Sequence, residues 1–487
     1  MTVLPDLGHA LSSVSSQVFT KRFFIYPKVL HTVVVENTGY DFEDNKTMLT
    51  RFERNVTGTL ARQLLVILLG LVSGIILARV LGPEGNGLYT LSILLPTVLS
   101  TFLNLGAAPA NVYFIGRGTV DVRNALFANL WLWLILSALG IMVGAIIIWS
   151  RGDVFFPGVP RPLLWGGVAV FPLVLLQAFL ISILQGKQDF RRFNTVSIIA
   201  PCVMLVLFLA LVWGLSMGVP GALLAYGLGY LVALVLTIRA VWVHCQSDIR
   251  GLSQRLYAKQ CIGYGWKAHL SNILAFVNYR ADIFLINFFL TPALTGIYVI
   301  AVQIAERLWL LSQAVSTVLL PRLSELYQDE KKRNHLTQVI ARWVFLATFF
   351  AAVSIVLVAK PLIVLLFGSK YINATGALIW LLPGIVLGSL SRILSNDIAA
   401  RGKPELNMYV AFFVVSVNII ANIILIPMMG INGAALATTI AYLLNAVAKL
   451  YLYTRLSGNM WWQPLLLDKT DIALILQRVK AVHRSIF

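Results

Sequence analysis

Two stretches of this sequence place ionisable side chains inside otherwise apolar runs: Asn278, Arg280 and Asp282, then Gln303, Glu306 and Arg307. Arg62, Arg392 and Asp397 stand in or at the edge of similar runs. Such groups cost several kcal/mol at bilayer depth and are retained where they face a cavity or a partner. The chemistry open to them is that of holding an ion or an oppositely charged substrate. Arg280 lies ten residues before Leu290, so about 15 Å deep on a helix. Glu306 lies as far past Gly296, and the two predict a meeting near the midplane. Arg280 and Asp282 are two residues apart, roughly 200° around a helix, so both cannot point into one narrow cavity. Asn278 shares a face with Asp282, and Gln303 shares one with Arg307. This predicts that Arg280 faces a lumen while Asp282 packs against a neighbour or lies in a second polar layer. The competing reading is a structural ion pair, Arg280–Glu306 or Asp282–Arg307, that only locks two helices together.

Other chemistries lack their residues. There is no G-x-x-x-x-G-K-[ST] phosphate loop, and Gly82–Gly87 lacks dinucleotide-binding spacing. No His or carboxylate cluster has metal spacing, so neither metal nor cofactor is expected. Cys202, Cys245 and Cys261 form no C-x-x-C pair and read as isolated thiols.

The elements that position these charges are transmembrane helices. Of the 487 residues, 59% are hydrophobic and 12% charged, against about 25% charged in soluble domains. A crossing needs about 20 mostly apolar residues. Twelve such runs are present: 61–80, 88–114, 124–149, 163–185, 194–215, 220–243, 267–290, 294–319, 337–358, 376–399, 408–428 and 432–455. They are continuous, which excludes the alternating strands of a membrane barrel. With the loop after the second run placed in the cytoplasm, twenty Lys and Arg fall on that side. Four, Arg151, Arg161, Lys360 and Lys370, fall on the other. The positive-inside rule then puts both termini in the cytoplasm of a multi-pass inner (plasma) membrane protein. It also accounts for much of the net charge of +18 without nucleic acid.

The runs repeat. Leu81-Gly-Pro-Glu-Gly-Asn-Gly-Leu-Tyr89 returns as Leu290-Thr-Pro-Ala-Leu-Thr-Gly-Ile-Tyr298, at an offset of 209. Gly218-Val-Pro-Gly-Ala-Leu-Leu-Ala225 returns as Gly430-Ile-Asn-Gly-Ala-Ala-Leu-Ala437 at 212, and Gly186-Lys187 as Gly402-Lys403 at 216. The fold class is therefore an all-α polytopic membrane protein of about twelve helices, in two six-helix lobes. An even number of crossings per half puts their pseudo-twofold axis along the membrane normal. The N-lobe is assigned to 60–245, an inter-lobe cytoplasmic linker to 246–266 and the C-lobe to 267–456. Residues 1–59 read either as a cytoplasmic tail or as an artefact of start-site choice before Met48. The tail at 457–487 has the pattern of a short amphipathic helix on the membrane surface. Transporters of this build hold their site between the lobes and rock one lobe against the other.

Leu77-Ala-Arg-Val-Leu-Gly-Pro-Glu-Gly-Asn-Gly-Leu-Tyr89 resembles the first-loop signature of polysaccharide transporters, the Wzx-type oligosaccharide flippases. Tyr279-Arg-Ala-Asp-Ile-Phe-Leu-Ile286, Gly296-Ile-Tyr298, Ala305-Glu-Arg-Leu308 and Leu320-Pro-Arg-Leu323 resemble their seventh and eighth helices and exit. The likeness covers about 50–456. It implies membership of the multidrug/oligosaccharidyl-lipid/polysaccharide exporter superfamily. It further implies a flippase moving a lipid-linked glycan, of the undecaprenyl-diphosphate type, to the outer leaflet, coupled to H+ or Na+. In that light Arg280, Arg307, Arg62 and Arg392 are substrate-binding candidates, and Asp282, Glu306 and Asp397 are ion-coupling candidates. Members often have fourteen helices, and the segment 1–59 has no counterpart among them. The partners implied are the lipid-linked glycan and membrane lipids, with the protein acting as a monomer. A multidrug antiporter of the same superfamily is the alternative; it favours an apolar, acidic lumen. A membrane glycan polymerase or ligase calls for a large outer loop, whereas the outer loops near 150–162 and 359–375 are short.

Overall fold

The computed structural model describes residues 42–246, 254–326 and 328–466. Two compact units divide the chain, Met1–Leu60 and Ala61–Phe487. Of the first, residues 42–60 are described and are helical. Most of the expected tail at 1–59, and the expected surface helix beyond 466, lie outside the described residues.

The second unit begins with α1 (Ala61–Leu103). There follow α2 (Ala107–Gly116), α3 (Val122–Phe155), α4 (Arg161–Gly186), α5 (Phe190–Leu207) and α6 (Gly218–Trp242). Then come α7 (Gln254–Phe289), α8 (Pro292–Arg307), α9 (Trp309–Glu325), α10 (Glu330–Phe367), α11 (Ala374–Ala400), α12 (Pro404–Met429) and α13 (Ile431–Ser457). α5 runs on into π-helical turns, Phe208–Gly214.

Among the described residues nine helices are long and apolar enough to cross a membrane, or ten when the pair α8 and α9, bent by 43°, counts as one crossing. α1 makes two of its own. Its 43 residues would extend about 65 Å, twice the hydrocarbon core of about 30 Å. The chain turns at Gly82, φ 69° and ψ −179°, a left-handed conformation open to glycine, with Pro83 next. α7 supplies the last crossing; Asn278, Arg280 and Asp282 dilute its apolar run. The twelve crossings predicted from hydropathy are thus present, six in each lobe.

In the N-lobe α4 packs on α2, α3 and α6, and α5 on α6; in the C-lobe α11 packs on α8, α9, α10 and α13, and α12 on α7 and α13. α7 serves both lobes. The segment read as a linker, 246–266, is helical from Gln254 on. There Tyr257 and Cys261 are buried in an N-lobe cluster with Ala110, Leu126 and Leu180. The Tyr257 hydroxyl donates to Asn111 Oδ1 (2.6 Å). Asn111 in turn bonds Asn129 (3.1 Å) and Ser182 (2.9 Å), so these buried polar groups satisfy one another.

The two copies of the repeat meet at the Gly82 end of the bundle. A Cβ on Gly87 would collide with the Pro292 carbonyl oxygen, and one on Gly296 with the Pro83 carbonyl oxygen. Asn86 Nδ2 donates to Gly296 O (3.0 Å). Next to this contact Arg79 Nε donates to Leu366 O (2.8 Å) and its Nη2 to Leu365 O, at the C-terminus of α10. The Tyr371 hydroxyl donates to Ala78 O (2.9 Å). Glycine recurs in both copies because two backbones touch there.

Candidate functional site

α7 and α8 are joined by a two-residue turn, and Thr291 caps α8 by accepting from Leu294 N (3.3 Å). This antiparallel pairing brings Arg280 to Glu306, with Nη1 to Oε1 at 3.4 Å. Both side chains keep about a third of their surface exposed, 37% and 31%. The pair is long and open, so it leaves donors on the guanidinium and an oxygen on the carboxylate for a ligand. The alternative partner for Asp282 is not used. Asp282 is buried and accepts from the Tyr298 hydroxyl (2.6 Å) and from Ile283 N (2.8 Å). It therefore packs away from Arg280, as the angular argument requires, and Arg307 lies free of it.

Arg307 ends α8 at the bend into α9. Its buried Nε has no hydrogen-bond partner, and neither has Asn278 Oδ1 or Gln303 Oε1. Gln303 reaches across to α1, where a Cβ on Gly74 would come 2.8 Å from its Oε1. Helix breaks at mid-depth are where transporters assemble binding sites, because freed backbone and orphaned side chains can face a ligand there. Beyond the bend, Trp309 donates from Nε1 to Ile385 O (3.1 Å). Its ring lies 5.3 Å from Tyr279 and 5.4 Å from Tyr442.

The remaining predicted residues lie elsewhere. Arg392 stands over the Trp309 ring at 5.8 Å and so borders the same aromatic group. Arg62, two residues into α1, stacks on Phe193 at 5.2 Å with its Nε unpartnered. Asp397 is fully buried, where Arg401 Nε (2.5 Å) and Thr337 Oγ1 (3.0 Å) bind it. Arg401 also bonds Glu330 (3.0 Å), Asn334 (2.5 Å) and Leu456 O (2.8 Å). Burial alone would lower the Arg401 pKa, but the bonds and charges of Asp397 and Glu330 outweigh it and raise it. This cluster ties α10, α11 and α13 at the basic end and does not join Asp397 to Glu306 or Asp282.

Sequence reasoning passed over Trp309, Tyr298 and Tyr442. Tyr298 had a signal, since it recurs in the repeat with Tyr89; the other two had none beyond their apolar setting. Lys449 on α13 turns inward and donates from Nζ to Ser395 Oγ on α11.

Residues 76–375 match a family model described as "Polysaccharide biosynthesis protein". The chain is 26% identical over 396 residues to a "Putative O-antigen transporter" of Shigella flexneri, covering 78% of this chain and 92% of that one. It is 28% identical over 193 residues to the "Probable low-salt glycan biosynthesis flippase Agl15" of Haloferax volcanii. That match covers 39% of this chain and spans only 41% of the relative's length. Among solved structures, the lipid II flippase MurJ in an inward closed conformation superposes with a TM-score of 0.67 at 18% identity, over 80% of this chain and 86% of that one. At that identity the likeness is one of fold.

Proposed function

Because this chain belongs to the polysaccharide biosynthesis protein family, we propose that it is a flippase that moves a lipid-linked oligosaccharide or polysaccharide precursor from the cytoplasmic to the outer leaflet. The observation that carries this reading is the mid-depth arrangement of an open Arg280–Glu306 pair beside Arg307, whose buried Nε is unpartnered, at the bend of α8 and α9. A diphosphate headgroup of the undecaprenyl type calls for such donors, since a guanidinium binds phosphate oxygens in parallel. In this reading the basic end and both termini lie in the cytoplasm of the plasma membrane, which the bias of loop Lys and Arg supports. The protein works as a monomer by alternating access. In the arrangement described here the Gly82 end is held together by the repeat contact, and the passenger enters from the basic end.

Coupling to a proton or sodium gradient is assigned to Glu306 and Asp282, the two carboxylates on the α7–α8 hairpin. Asp397 is omitted from this role because Arg401 and Thr337 already hold it. A multidrug antiporter would use Asp282 and its apolar surroundings, but it has no use for arginines at the bend. Arg280→Ala is expected to abolish glycan export in a flippase-deficient host at normal protein levels; full export would overturn the reading. Reconstituted flipping is expected to accelerate under an imposed proton or sodium gradient and to lose that response in Glu306→Gln. Flipping that ignores both gradients would refute the coupling.

A further inference from the structure

We infer that Arg392 and Lys449 form a second anion subsite, which takes a carboxylate or phosphate borne on the glycan part of the passenger; this rests on the flippase reading above. α11 and α13 pack side by side and run in the same direction. Arg392 and Lys449 each stand eight residues before the last residue of their helix, Ala400 and Ser457. Both therefore lie about 12 Å in from the basic end. Lys449 Nζ donates to Ser395 Oγ, three residues along α11 from Arg392 and so close to its face.

Two cations side by side at this depth need a negative partner, and among the described residues no carboxylate lies within ion-pair distance of either. The acids of the neighbouring helices pair elsewhere or lie at an exposed helix start: Glu306 on α8 pairs with Arg280, and Glu325 on α9 with Arg322. Asp397 on α11 is held by Arg401, and Glu330 on α10 by Arg401 and Arg333. Glu405 on α12 is exposed in its first turn. α12 offers instead Asn407, which donates to Ser395 O (3.0 Å). The neighbours at the position are thus neutral amide and hydroxyl groups, with no acceptor of full charge.

The pair is distinct from the Arg280–Arg307 position. The rings of Tyr279, Trp309 and Tyr442 stand between them, with Arg392 against Trp309. A passenger that fills both positions carries two negative centres: a headgroup phosphate at Arg280 and Arg307, and an acidic group further along its glycan toward the basic end.

The test uses the full-length protein in phosphatidylcholine nanodiscs and follows its thermal unfolding midpoint. The probes are inorganic diphosphate, a hyaluronan tetrasaccharide, which carries carboxylates, and maltotetraose, which is neutral. The wild type is expected to be stabilised by diphosphate and by the acidic tetrasaccharide, but not by maltotetraose. In Arg392→Gln and Lys449→Gln the apparent affinity for the acidic tetrasaccharide is expected to fall about tenfold, with the diphosphate response kept. Arg392→Lys and Lys449→Arg retain the charge and serve if the neutral variants do not fold; they are expected to keep part of the response, and unchanged affinity in every folded neutral variant overturns the subsite. No response of the wild type to the acidic tetrasaccharide also overturns it, as does loss of the diphosphate response in the Gln variants, which would merge the two positions. Stabilisation by phosphatidylglycerol nanodiscs that depends on Lys449 would assign the site to a lipid headgroup and overturn the glycan source. A wild type that ignores diphosphate counts against the flippase reading itself, separately from the subsite.

Discussion

The carboxylate of Asp282 is the most completely enclosed charge of the α7–α8 hairpin, and its two donors set what substitution should do. Tyr298→Phe removes one hydrogen bond to a buried carboxylate and is expected to cost about 1–3 kcal/mol, read as a lower apparent melting temperature in detergent. Asp282→Asn keeps the shape and an acceptor oxygen, so a smaller loss of stability is expected, together with loss of any ion response carried by this carboxylate. Equal destabilisation by the two would mean that the Tyr298 bond contributes nothing specific. Asp189 offers a contrast outside the membrane. It caps α5 by accepting from Arg192 N (3.1 Å) and pairs with Arg192 (2.6 Å) and His244 (3.0 Å). Burial would raise its pKa, but these bonds hold it below the usual carboxylate value. The stabilisation is therefore fully present above the unfolded value of about 3.9 and is lost as pH falls through the lower folded value. Asp189→Asn is expected to cost about 1 kcal/mol at neutral pH and to flatten the acid limb of a stability profile.

At the scale of elements, the hairpins of the two repeats are the parts whose contact must break for the lobes to rock. Gly87→Val is expected to force them apart, because the Pro292 carbonyl occupies the space of a side chain. A cysteine at Gln303, in a background with Cys202, Cys245 and Cys261 replaced by serine, should then react faster with an impermeant maleimide supplied at the outer face. Unchanged labelling would show that this contact does not seal the outer end. Arg79 tests the same seam without steric change. Its guanidinium caps carbonyls at the end of α10, where a cation complements the helix dipole. Arg79→Ala is expected to shift the population toward the outward-open form by about fivefold, read by the same label. α7 belongs to this scale as well. Tyr257 and Cys261 fasten its first turns to the N-lobe, while Arg280 and Asp282 sit in the C-lobe, so rocking of the lobes must bend it in between.

For the whole molecule, the number of crossings and their division into two sets of six could be read from the sequence. These are properties of one chain segment at a time: an apolar run has a length, and a repeat has an offset. Even the contact of Gly87 and Gly296 has a mark in the sequence, their recurrence at the same place in the two repeats. What only the tertiary structure decided is which charges meet. Arg280 found Glu306, Asp282 found Tyr298 and Asp397 found Arg401, while Lys449 turned inward beside Arg392. Each of these outcomes depends on how neighbouring helices are rotated and staggered. Shifting one helix by a single residue turns its side chains by about 100°, an amount that hydropathy does not register and that packing alone sets.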